Sequence, residues 1–318
     1  MLNPSQIQQF EQQGYLVVPN LLSHELLERI KSEYSVRLND LCRDWFDHGK
    51  LESSLEGLSF DEKLTTITRA GLDYFQPLDI SWPISDFPTD TPIHLGRAVF
   101  DMIRAPALLD AVESLLGPEI TSTPIQHVRI KPPLTDVADG ENRAHIVGTD
   151  WHQDRAVAQP AADQTRMVTV WVAITDATLD NGCLQVIPES HRDAMLTHCP
   201  ASQLSIPTER FDKNSAAALP VKAGGAVLFH PLTIHGSRDN FSRHYRWSFD
   251  LRYNVTGDPT GRQQFPEFVA RSRSKPQTEQ HDHLQWVEAW MRVKEQLADQ
   301  PQDPLSYHRW DGTSSVCA

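Results

Sequence analysis

The run from Tyr245 to Asn254, "YRWSFDLRYN", alternates without a break. Tyr245, Trp247, Phe249, Leu251 and Tyr253 fall on one face, and Arg246, Ser248, Asp250 and Arg252 on the other. Period two is the signature of a strand, whose successive side chains point to opposite sides of a sheet. A face of five large apolar groups needs cover. The opposite face carries three charges, and two arrangements suit it. It can meet solvent, with Arg246 and Asp250 paired as surface ions, or it can turn inward and line a polar cavity.

The rest of the chain narrows the architecture. "STPIQHVRIKPP" alternates and stops at two prolines, "TRMVTVWVAI" is a β-branched apolar run suited to a buried strand, and "GCLQVIP" and "GGAVLFHP" are short strands between Gly and Pro. Helices come first: a short one in "PSQIQQFEQQ", a strand at Tyr15–Val18, then a long helix capped by Ser23 with Leu26, Leu27 and Ile30 facing inward. "APALLDAVESLLGP" is an amphipathic helix ended by Gly117-Pro118, and "HLQWVEAWMRVKEQLA" is a last helix. Residues 43–95 read as helical pieces and loops. The expected fold is mainly β with flanking helices, an antiparallel sandwich or jelly roll. No repeat or low-complexity linker divides the chain, so residues 1–318 read as a single domain. Its parts are a mostly helical 1–118, a jelly-roll core 119–255 and a C-terminal helical extension 256–318.

Composition removes several functions. A net charge of −13 argues against a nucleic-acid partner, since phosphate backbones call for Lys/Arg surfaces. No apolar run approaches the roughly 18 residues that span a bilayer, and the first residues lack the basic start and apolar core of a signal peptide. Cys42, Cys183, Cys199 and Cys317 form no CxxC and no regular framework. That suits structural or incidental thiols in a reducing compartment, and the expected location is cytoplasmic.

Chemistry enters with "TDWHQDRAV", where His152 and Asp154 stand two apart. On a strand they would share a face and could grip one ion. The chain has 14 histidines, and a second His-x-Asp occurs at His191 and Asp193, so spacing alone settles little. A third ligand would come from a distant strand, and His230, His235 and His244 are the candidates. Two histidines and a carboxylate on one face, with other positions open, is the arrangement of non-haem Fe(II) oxygenases. Many of these take electrons from 2-oxoglutarate, whose far carboxylate needs a fixed cation. Arg246 and Arg252 both lie on the polar face of the 245–254 strand, and arginine's planar fork suits the task.

The stretches "QIQQFEQQGYLVVPNLLS", "RIKPP", "WHQD", "WVAITDATLDNGCLQVIPESHR" and "GGAVLFHPLTIHGSRDNFSRHYRWSFDLRY" together resemble the phytanoyl-CoA dioxygenase family, in its order, over roughly residues 5–255. The resemblance implies a double-stranded β-helix of the jelly-roll, cupin-like kind and a dioxygenase that uses Fe(II), 2-oxoglutarate and O2 to hydroxylate a small molecule, releasing succinate and CO2. It assigns the metal to His152, Asp154 and His235, choosing His235 because the family's distal histidine opens the "HGS..N.S...R" run. It gives the far 2-oxoglutarate carboxylate to Arg246, and it matches Trp171, Ser237 and His127 to residues that touch the co-substrate. Halogenating relatives carry a small residue at the carboxylate position. Asp154 fills it here and points to hydroxylation or another oxidation.

The resemblance leaves the substrate open. A CoA ester would call for a cationic patch, yet Arg129, Lys131, Arg143, Arg155 and Arg166 are scattered. The basic stretch with Arg271, Arg273 and Lys275 can meet an anionic substrate or simply be solvated. Residues 131–149, with His145, form a loop that is either a lid over the site or plain surface. His191, His281 and His283 read as structural, and His230 as a core residue or a support for a ligand. Two rival classes stay in view: a cupin-like metalloenzyme without 2-oxoglutarate, and a non-catalytic binding protein on the same fold.

Overall fold

A computed structural model describes residues 1–83, 90–298 and 309–317. Its helices are α1 (Pro4–Gln13), α2 (His24–Asp47), α3 (Phe60–Arg69), α4 (Phe75–Leu78), α5 (Arg97–Ile103), α6 (Pro106–Leu116) and α7 (His283–Ala298). The strands, in order, are β1 (Tyr15–Val18), β2 (Glu119–Ser122), β3 (His127–Lys131), β4 (Thr149–His152), β5 (Met167–Ala173), β6 (Leu184–Val186), β7 (Cys199–Pro200), β8 (Leu204–Ser205), β9 (Ala217–Leu219), β10 (Ala226–Phe229), β11 (His235–Ser237), β12 (Arg246–Val255) and β13 (Phe268–Ser272).

They form one large antiparallel sheet, β1-β10-β5-β12-β2-β13 with β3 also on β12, a smaller one, β4-β11-β6-β9, and a separate β7-β8 pair. Side chains of both sheets line one cavity, so the sheets face each other across it. The order is set by β12, which pairs with β5 over Ser248–Asn254, with β3 over Arg246–Asp250 and with β2 over Tyr253–Val255.

β12 is buried on both faces over Arg246–Asn254, which excludes the solvent-facing arrangement. Its aromatic face lies under the helical layer. The Trp247 and Phe249 rings sit 4.9 and 5.9 Å from Tyr34 of α2, Phe60 of α3 stacks on Trp247 at 5.4 Å, and the Tyr253 hydroxyl donates to Ile103 O at 2.7 Å. Helix α2 reaches this surface because Leu27, Ile30, Tyr34, Leu38, Leu41 and Trp45 recur on one stripe. Ser23 Oγ accepts from Leu26 N at 3.2 Å and starts the helix. The polar face of β12 is left to the cavity.

Three expectations change. "STPIQHVRIKPP" is not one continuous strand: Ser122 ends β2 and His127 starts β3, because Pro124 has no N–H for a ladder and breaks the run between them. β4 stops at His152, and Asp154 opens a 3-10 turn, Asp154–Val157. Gln153 stays extended (φ −116°, ψ 132°) and keeps its two neighbours on one side. The region after residue 255 is not all helical: β13 joins β2 at the sheet edge. Residues 43–95 do break into short helices, α3 and α4, with residues 84–89 outside the described part.

Candidate metal centre

Strands β4 and β11 run antiparallel with His152 directly opposite His235. Gly236 permits their close approach, since a Cβ there would stand 2.7 Å from Thr149 O. The imidazole centroids are 4.2 Å apart. Each ring is oriented from behind: His152 Nδ1 lies 2.8 Å from Asp150 O and His235 Nδ1 3.0 Å from Thr233 O. Nδ1 therefore carries the proton in both, and both Nε2 lone pairs turn to Asp154 Oδ1, at 3.7 and 3.8 Å. The ligand atoms of the three residues all lie within 4.8 Å of one another, a group able to hold a metal ion.

The charges are arranged for that. Burial pushes the His152 pKa down to about 3 and lowers that of His235, so both rings are neutral donors. Burial alone would raise the Asp154 pKa, but the charge and hydrogen bond of Arg252 hold it well below the usual carboxylate range. Arg252 Nη2 donates to Asp154 Oδ1 at 2.5 Å and Thr169 Oγ1 donates to Oδ2 at 2.5 Å. Arg252, one of two candidates for the co-substrate cation, is thus taken up by Asp154.

Arg246 lies on the same face of β12, 1% exposed. Its Nη1 donates to Ser248 Oγ at 2.6 Å, its Cζ stands 5.3 Å from the Trp171 ring centroid, and its Nε is buried without a partner. Burial lowers its pKa to about 10, so it stays charged at neutral pH. A buried guanidinium with donors to spare is a seat for an anion. Across the register from Arg246 stands Lys131, fully buried. Its Nζ donates to Ser237 Oγ at 2.8 Å and to Arg238 O at 3.2 Å, and burial followed by Arg246 pushes its pKa well down. The sequence offered Lys131 only as one of five scattered cations. The cross-strand pairing that places it beside Arg246 is not legible without the register.

His152, Asp154, His235, Arg246, Trp171 and Ser237 share the cavity wall. His127 does not: its Nδ1 is bound at 2.8 Å to Asp79 Oδ2. Arg129 and Asp250, missed as a pair, meet inside at 2.5 Å. His244 is 84% exposed beside Asp61, and His230 accepts from Leu232 N through Nδ1 at 3.2 Å; neither belongs to the group around Asp154. His191 binds Glu11 O at 3.0 Å and His283 Leu95 O at 2.7 Å. Residues 131–149 are pinned: Asp136 to Arg69 at 2.7 Å, Gly148 N to Asp239 at 2.6 Å, and the His145 ring stacks on Phe75 at 3.6 Å. Of the basic stretch, Arg271 is taken up by Asp110 and Glu113 and Arg273 by Glu113, all on α6.

A sequence model of phytanoyl-CoA dioxygenases matches residues 10–248, three quarters of the chain. The chain belongs to the phytanoyl-CoA dioxygenase family. Peroxisomal phytanoyl-CoA dioxygenase of Bos taurus is 28% identical over 251 residues, covering 77% of this chain and 66% of that protein. The match thus spans slightly less than two thirds of that relative's length. Among solved structures, the apo form of the non-heme monooxygenase ThoJ superposes with a TM-score of 0.61 at 20% identity, covering 93% of this chain and 98% of that one. EctD from S. alaskensis, solved with 2-oxoglutarate and 5-hydroxyectoine, gives 0.53 at 19% identity, covering 81% and 77%. The fold is the cupin-like jelly roll of this family. Among the described residues no helix is long and apolar enough to cross a membrane.

Proposed function

We propose that the protein is an Fe(II)- and 2-oxoglutarate-dependent dioxygenase that hydroxylates a small-molecule substrate and releases succinate and CO2. The observation that carries this reading is the joint presence, in one cavity, of the His152–Asp154–His235 group and a buried Arg246 with a spare donor. Fe(II) with 2-oxoglutarate would supply the activation of O2 and the oxidising power. The chain supplies the rest. His152 and His235 present Nε2, and Asp154 presents Oδ1. Arg252 and Thr169 keep Asp154 ionised and aimed. Arg246 and Lys131 hold the far carboxylate of 2-oxoglutarate, with Ser237 between Lys131 and β4 and with Trp171 as the wall. Phe229, whose ring lies 4.4 Å from His235, and Leu184 keep bulk water from the ligands. His127 is bound to Asp79 and lies off this wall.

The substrate is a small molecule. Of the five cations considered for a CoA ester, Arg129 lines the cavity, Lys131 is buried against Ser237 and Arg238 O, Arg155 is spent on the carbonyls of Ala162 and Thr165, Arg143 is paired with Glu141 at 2.7 Å, and Arg166 is exposed. A cytoplasmic location belongs to this proposal too.

The test is anaerobic addition of Fe(II) to metal-free protein with 2-oxoglutarate, watching for the visible metal-to-ligand charge-transfer band. The band is expected in wild type and absent in His152→Ala and Arg246→Ala. Iron binding without any 2-oxoglutarate band would favour a cupin-like metalloenzyme. No metal binding would favour a binding protein.

A further inference from the structure

The segment 309–317 lies against the turn that carries two of the three metal-site residues. Trp310 Nε1 donates to Ala156 O at 3.0 Å, and its ring packs on His198, with centroids 5.2 Å apart at 36°. His198 is 1% exposed. Its Nδ1 donates to Leu196 O at 2.9 Å, so Nε2 is an acceptor, and it takes the backbone N–H of Gln153 at 2.9 Å. Gln153 stands between His152 and Asp154. Its side chain is held at both ends, by Leu232 O and Leu196 N, each at 2.8 Å. Arg309 reaches Asp163 at 2.6 Å, beyond the same turn. The segment is then tied covalently: Cys317 is bonded to Cys199, the neighbour of His198, across 118 residues of sequence. This pair corrects the expectation of four unpaired thiols; Cys42 and Cys183 are free and buried.

We propose that residues 309–317 are a clamp that positions the His152–Asp154 turn for metal binding, with the Cys199–Cys317 bridge as its latch. The proposal rests on the metal-ligand reading above. Trp310 and His198 are positioning residues, since neither lines the cavity. They act on Gln153, whose extended backbone keeps its two neighbours on one side. The latch can be opened, because both cysteines are partly exposed to a soluble reductant. A dithiol gives two electrons and two protons, the S–S bond breaks, each cysteine becomes a thiol, and the reductant becomes its own disulfide. The non-covalent contacts of Arg309 and Trp310 then hold the segment alone, and it exchanges between seated and released. In a reducing compartment the clamp is unlatched; under oxidation it is latched and the metal turn is set.

The experiment uses the full chain, oxidised and then reduced by dithiothreitol. Alkylation and mass measurement count free thiols, with two expected before reduction and four after. Anaerobic Fe(II) titration reads metal affinity, and hydrogen exchange reads the Gln153 amide in metal-free protein. Reduction is expected to raise the Kd for Fe(II) about tenfold or more, the scale seen when a support of a metal ligand is lost. It should also speed Gln153 exchange, and reoxidation should restore both. Cys317→Ser should behave as reduced protein. Trp310→Phe, which keeps the ring and loses the Ala156 hydrogen bond, should fall between. A brace that merely stabilises the fold would lower Tm yet leave the Kd within about twofold and Gln153 exchange unchanged; that result overturns the clamp, as do four free thiols in oxidised protein. If oxidised wild type binds no Fe(II), the ligand reading fails by itself. Gln153 exchange then decides the clamp, supporting it if faster on reduction and overturning it if not.

Discussion

Arg252 is the residue whose removal tests the electrostatics of the site most sharply. Asp154 is 1% exposed and carries a full charge in the metal-free protein. Its Oδ1, the oxygen that faces both histidines, is held by Arg252 at 2.5 Å, and Arg252 is itself buried and donates to Ile125 O at 3.0 Å. Arg252→Met keeps the bulk and removes the charge. Breaking a buried pair from one side costs about 3–5 kcal/mol, and the orphaned Ile125 carbonyl adds about 1 kcal/mol. The Thr169 hydrogen bond survives and keeps the sum near the lower end, at about 4 kcal/mol. Metal should repair much of this loss, because a dication at Oδ1 supplies the missing countercharge. The assay is urea unfolding with EDTA and again with excess Co(II) under argon. The variant should lose about 4 kcal/mol without metal and gain more from Co(II) than wild type does. A metal-free loss under about 1 kcal/mol, or equal gains from Co(II), would refute the claim that Arg252 and the metal share that oxygen.

Other outcomes follow from the same geometry. Arg246→Gln should weaken 2-oxoglutarate about 30-fold or more, equivalent to about 2 kcal/mol, while Fe(II) alone binds as before; both are read by the anaerobic titration. Gly236→Ala must push β4 from β11, because its Cβ would meet the Thr149 carbonyl oxygen at 2.7 Å. Urea unfolding should show a loss of about 1–3 kcal/mol, and Co(II) affinity should fall as the two histidines separate. Burial holds the His230 pKa at about 4, against about 6.5 in the unfolded chain. Between these values the unfolded state binds a proton that the folded state refuses, so the contribution of His230 is intact above pH 6.5 and is lost as the pH falls towards 4, by up to about 1.4 kcal/mol per unit. His230→Gln should flatten that part of the pH–stability curve; an unchanged slope would place the acid sensitivity elsewhere.

What could be read beforehand was what depends on neighbours in sequence. The alternation of β12, the caps and the stripe on α2, and the His152–Asp154 spacing are all local. His235 was one of three open choices until the resemblance selected it. The remainder depends on register. Lys131 meets Arg246 because β3 pairs with β12 at that offset, and a one-residue slip would turn both away. Arg129 finds Asp250, not Arg246, for the same reason, and Arg252 was claimed by Asp154 through a contact between strand and turn. His127 sits on the same strand face as Arg129 and Lys131 but takes Asp79, whose position depends on a loop that the pattern did not resolve. Cys199 and Cys317 carry no local mark at all, since their partnership spans 118 residues.

The pairing plan has a consequence for how the chain comes to be folded. β3 finds its partner only in β12 and β1 only in β10, while β2 waits for both β12 and β13. At about 5–20 residues per second of synthesis, some 124 residues separate the emergence of Lys131 from that of Val255, a wait of roughly 6 to 25 s. Until then apolar strands made early stand with open edges, and contacts this distant also form slowly. His152 likewise precedes His235 by 83 residues, a wait of roughly 4 to 17 s. Iron therefore has no place to go during most of translation, and acquiring it is a late event, after the sheets have closed. Slower synthesis at lower temperature should raise the yield of soluble, metal-competent protein more than any supplement of iron to the medium.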